Sequence, residues 1–63
     1  MTNLEFKTAY SDAAKTEAVM IAVNDKAYFD DKTISHAAWV AANTAAADHF
    51  EARISYLEER VTA

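Results

Sequence analysis

Apolar positions in the first third of the chain recur with the period of a helix. Phe6, Ala9, Tyr10, Ala13, Met20 and Ile21 fall on one side of a 3.6-residue wheel, with Lys7, Ser11 and Lys15 on the other. Thr2-Asn3-Leu4-Glu5 has the form of a capping box, in which a hydroxyl and a carboxylate satisfy each other's orphan amides. The pattern predicts a helix over residues 3–23. Asn24-Asp25 are poor helix formers and are expected to close it.

A second stripe, Trp39, Ala42, Ala46, Phe50, Ile54, Leu57 and Val61, predicts a helix over 34–61, capped by Thr33 or Ser35. It repeats at about 3.7 residues per turn, above the 3.5 of a left-handed coiled coil, which suits a nearly straight helix in a compact bundle. Residues 24–33 form the link, with Asn24 or Asp25 capping a single turn that carries Tyr28 and Phe29. A competing reading makes VMIAV-ND-KAYF a β-hairpin, because Asn-Asp can occupy a two-residue turn. The flanking runs lack clean alternation, so the helical link is preferred.

The predicted core is Phe6, Tyr10, Met20, Ile21, Trp39, Phe50, Ile54, Leu57 and Val61, with Tyr28 and Phe29 in the core or at its rim. The second helix carries a further apolar sector, made by Ile34, Ala38, Ala41, Ala45, Ala52 and Tyr56. One partner helix covers a stripe of roughly 100°. The extra sector therefore reads as a homodimer interface, or as a seat for a different partner. The plainer alternative is that alanine simply favours helix.

Composition narrows the fold class. The 63 residues include no glycine, no proline and no cysteine. Without glycine there is no phosphate loop and no dinucleotide-binding turn, and many-turned β folds are disfavoured. Without cysteine there are no disulfides and no thiolate zinc sites. In a chain this short, apolar burial set against roughly 1.5 kcal/mol of ordering entropy per residue comes out near zero. Nearly half of the apolar residues are alanine, which buries little area. The expectation is an all-α protein of one domain, two long helices with a short helical link, packing as a homodimeric helical bundle.

The formal charge is −4, with acidic and basic residues interleaved. Six scattered Lys and Arg make no basic stripe, which argues against nucleic-acid binding. An acidic protein that mimics DNA, or a regulator acting on a DNA-binding protein, is the alternative kept open. The longest apolar run, Ala18 to Val23, is far short of the ~20 residues of a membrane span. No signal-peptide pattern opens the chain, so a cytoplasmic protein without a membrane partner is expected.

Candidate chemistry is sparse. His36 and His49 lack the spacing of a metal motif, and no cofactor or metal is expected. His36 is placed as a cap or flank of the second helix, His49 at an interface edge. Asp31, Ser35 and His36 supply the residue types of a nucleophilic triad, but two helices enclose no cleft for one, and no enzyme is expected. Glu17, Asn43 and Arg53 are polar residues on or beside apolar stripes. Glu17 either reaches water at the edge or pairs with Arg53. Asn43 meeting its twin across a dimer would fix register, as polar residues in helical seams do.

The chain as a whole, from MTNLEFKTAY through HAAWVAANTAAADHFEARI, resembles the small early proteins of lambdoid bacteriophages, those of the exo–xis region. The resemblance rests on overall wording and length, not on a catalytic or ligand motif. It implies an accessory protein made early in lytic development or prophage induction, in the cytoplasm of the bacterial host. It further implies action on host cell-cycle or lysis–lysogeny control, with a host or phage protein as target. It brings no active-site residues with it.

Overall fold

The computed structural model describes residues 1–61 as a helical hairpin. Helix α1 spans Asn3–Asp25, continues without a break into a π-helical turn at Lys26–Asp30, and is followed after a short connection by α2, His36–Glu58. The helices run antiparallel and pack along their length. No strand occurs among the described residues, which sets aside the β-hairpin reading of residues 19–29. No helix among them is long and apolar enough to cross a membrane.

The first helix begins where its capping box places it. Glu5 N donates to Thr2 Oγ1 at 3.1 Å, and Thr2 N donates to Glu5 Oε1 at 3.0 Å. The Thr2 backbone amide, and after it the Thr2 side chain, hold the Glu5 carboxyl below the usual carboxylate range. Ser35, rather than Thr33, caps α2, its Oγ accepting from Ala38 N at 3.1 Å.

The α-helical winding ends at Asp25, two residues past the expected 23, but Asn24 and Asp25 do not turn the chain out of the helix, because their side chains bond across to α2 instead of competing for the local backbone. The helix widens into the π turn, closed by Asp31 N donating to Lys26 O at 2.9 Å. A Lys26–Asp31 ion pair at 2.9 Å spans the same turn. Lys32 then adopts a φ of 54°, the left-handed region that glycine normally supplies, and the chain reverses. Thr33 N bonds to Ala27 O at 2.9 Å, tying the connection back to the turn. At the other end α2 stops at Glu58, short of the expected 61, so Val61 lies beyond the helix and is half-buried.

The hairpin is a single layer, measuring 47 × 16 × 8 Å between Cα extremes. Its radius of gyration is 14.5 Å, against about 11 Å for a compact domain of this length. Its accessible surface is 4557 Å², against about 4,000 Å² for a compact monomer of 7.0 kDa. Ala46 and Leu57 are the only fully buried apolar residues described. Phe6, Ile21, Trp39, Phe50 and Ile54 are half-buried along the seam. Tyr10 and Met20, expected in the core, are 44% and 37% exposed. Tyr10 packs edge-on against Phe50, with centroids 5.6 Å apart, and a single opposing helix leaves the rest of each side chain uncovered.

Two predictions follow from the ends of α1. Lys32→Gly should raise stability by about 0.5–1 kcal/mol in urea unfolding, since it relieves a left-handed side-chain clash of about 1–2 kcal/mol while adding unfolded-state entropy; a loss would contradict the assigned turn. Because the Glu5 pKa is lowered on folding, its contribution is full above the ordinary carboxylate range and disappears as pH falls through the lowered value. The stability difference between wild type and Glu5→Gln should therefore be constant near neutrality and shrink on acidification. A difference that grows on acidification would contradict this.

Candidate interaction surface

The tip of the hairpin is held by a cluster of aromatic and polar side chains. Trp39, one turn into α2, donates from Nε1 to Asp25 Oδ1 at 2.8 Å. Asn43, one turn further, donates to the same oxygen at 3.4 Å and accepts from Asn24 Nδ2 at 3.0 Å. The π turn aims Tyr28 onto the Trp39 ring, stacked at 4.8 Å and 14°, with Phe29 edge-on to Trp39 at 5.4 Å. His36 closes the group, its Nδ1 3.0 Å from the Tyr28 hydroxyl. Phe29 keeps 58% of its surface exposed at the apex.

Below the tip, one broad side of the hairpin is open and apolar. Val19, Met20 and Val23 of α1 and Ala42 and Ala45 of α2 line a shallow groove that also touches Asn24. Val19 and Val23 are each 63% exposed. Further from the tip lies a more polar cleft of about 250 Å³, lined by Ala9, Asp12, Ala13, Thr16, Glu17, His49, Phe50 and Arg53. The residues run in helical rows. Asp12, Thr16, Val19 and Val23 follow at spacings of four, three and four on α1, and Ala42, Ala45, His49 and Arg53 follow at three, four and four on α2. Such spacings keep each row on one side of its helix, so cleft and groove form one continuous face.

Several predicted residues lie on or beside this face. Ala38, Ala41, Ala45, Ala52 and Tyr56 are exposed, with Ala45 in the groove itself. Ile34 falls outside α2, in the connection, and is half-buried. Asn43 is turned inward, its amide accepting from Asn24 and donating to Asp25 within the chain. Glu17 and Arg53 line the same cleft without forming an ion pair, and the Arg53 guanidinium lies 5.3 Å from the centre of the Tyr56 ring. Among the described side chains, Lys26 and Asp31 form the only ion pair. Asp31, Ser35 and His36 do not assemble either. Asp31 pairs with Lys26, Ser35 caps α2, and His36 meets Tyr28. His49 is exposed at the edge of the cleft. Among the described residues no group of three or more His, Cys, Asp and Glu is placed to hold a metal ion.

The sequence reading missed Val19 and Val23 as surface residues, although their spacing of four, offset from the Phe6–Ile21 stripe, carries the signal. It also missed the Asp25–Trp39–Asn43 clasp, because donors and acceptors that meet across a hairpin have no sequence spacing of their own. No family model, no curated protein and no solved structure matches the chain.

The clasp generates a direct test. Trp39→Phe keeps an aromatic ring against Tyr28 but removes the donor to a part-buried carboxylate, and should cost about 1–3 kcal/mol in urea unfolding. A cost below about 0.5 kcal/mol would show that Asp25 is satisfied without Trp39.

Proposed function

We propose that the chain is a non-enzymatic binding protein that works as a homodimeric helical bundle. In the setting implied by its resemblance to lambdoid early proteins, it acts in the cytoplasm of the bacterial host during early lytic development or prophage induction. Its target is a host or phage protein that controls the host cell cycle or the choice between lysis and lysogeny.

One observation carries this reading: the hairpin has apolar surface that its own two helices leave uncovered. Val19 and Val23, which line the groove with Ala42 and Ala45, are each 63% exposed, while only Ala46 and Leu57 are fully buried among the described apolar residues. Domains generally bury the apolar side of each layer against a second layer. Contiguous exposed apolar patches on small proteins mark association surfaces. The alanines of α2 add to the case, because small side chains let a further backbone come close.

Self-association is tested by sedimentation equilibrium on the wild type and on Ala45→Arg. A wild-type dimer that Ala45→Arg converts to monomer, with at least tenfold weaker association, is expected; a wild-type monomer at high micromolar concentration would contradict the dimeric reading. Affinity capture from infected and uninfected bacterial lysate, with both proteins as bait, tests the target. A specific host or phage protein retained by the wild type is expected, and catalytic turnover with no stable protein partner would contradict a binding role.

A further inference from the structure

The open face is asymmetric in a way that fits its own rotated image. Along α1 it presents Asp12 and Thr16 towards the base and the bulky Val19 and Val23 towards the tip; along α2 it presents the basic or titratable Arg53 and His49 towards the base and the small Ala45 and Ala42 towards the tip. Acid on one helix therefore stands level with base on the other, and bulk stands level with space.

We propose that this face mates with the same face of a second copy about a two-fold axis running along the hairpin, so that α1 of each copy lies on α2 of the other. This rests on the dimeric reading above and adds its geometry. A rotation about the long axis keeps every residue at its own height and exchanges the two helices. Val19 and Val23 then fall on Ala45 and Ala42 of the second copy, filling the groove to an even depth. Asp12 falls on Arg53 of the second copy, and the contact occurs twice, as an isologous interface requires. The alternative axis, across the hairpin, sets valine against valine and alanine against alanine. It also leaves Asp12 away from any Arg53, or lays the apolar half on the polar half. Charge pairs at such a face choose orientation more than they add affinity. The whole broad side of the hairpin, 47 × 16 Å between Cα extremes, is about 750 Å², against the ~800 Å² that each partner contributes to a standard interface, so an interface of standard size takes up that side along its full length.

The absence of native cysteine makes the geometry readable by disulfide trapping. Val23→Cys and Ala42→Cys are oxidised separately and as an equimolar mixture, with sedimentation of the reduced proteins alongside. Cross-linking needs Cα atoms within about 7 Å. The expected result is a dimer in sedimentation, with covalent dimer accumulating in the mixture and not in either variant alone. Covalent dimer from a single variant, or none in any sample that sediments as a dimer, would overturn the proposed axis and leave the dimer standing. Monomers throughout would remove the dimeric reading and the axis with it.

Discussion

Two helices make one layer, and one layer has two broad sides. Each helix in this hairpin can turn one stripe towards the other, and the residues that do so include the two fully buried side chains, Ala46 and Leu57. Every other described apolar residue is shared with solvent to some degree. The consequences run through the whole molecule: a radius of gyration well above that of a compact domain, Tyr10 and Met20 partly bare, and a valine–alanine face with nothing over it. A chain rich in alanine sharpens the problem, since alanine forms helix readily but contributes little area when buried.

With so little burial, the hairpin relies on directional bonds at its ends. At the tip the Asp25 carboxylate gathers Trp39 and Asn43, Asn24 reaches Asn43, and Tyr28 stacks on Trp39. The π turn matters here, since its wider winding carries Tyr28 and Phe29 onto the Trp39 ring. At the start of α1 the Thr2–Glu5 box satisfies the first amides, and the Met1 ammonium donates to Arg60 O at 2.6 Å, joining the two termini of the hairpin. Polar clasps at both ends thus set the pairing of the helices, while the apolar residues between them leave one side available.

The legible part of this architecture is the part written in local spacing. Thr2 and Glu5 stand three apart and cap as read; Ser35 stands three before the amide it caps; the stripe from Trp39 to Leu57 turns inward at its helical period. Asn24 and Asp25 are legible as polar residues at the end of α1 but not as tertiary partners, so the sequence shows the helix end and not the clasp built there. The same limit applies to Asn43, whose amide is used within the chain, and to Glu17 and Arg53, which share a cleft without forming an ion pair. The alanine sector was visible on the wheel, but its continuation into Val19 and Val23 was not, because a wheel of one helix says nothing about which residues of another stand beside it.

The function proposed above needs this division between a clasped hairpin and an open face to be real: the isolated hairpin should be marginal and the associated form stable. Thermal unfolding followed by circular dichroism over a hundredfold range of protein concentration tests that most directly. Because association with a second folded copy stabilises the native state by mass action, the midpoint should climb steadily with concentration. A midpoint independent of concentration, in a cooperative transition, would mean that the single layer is stable by itself and that its open face needs no cover.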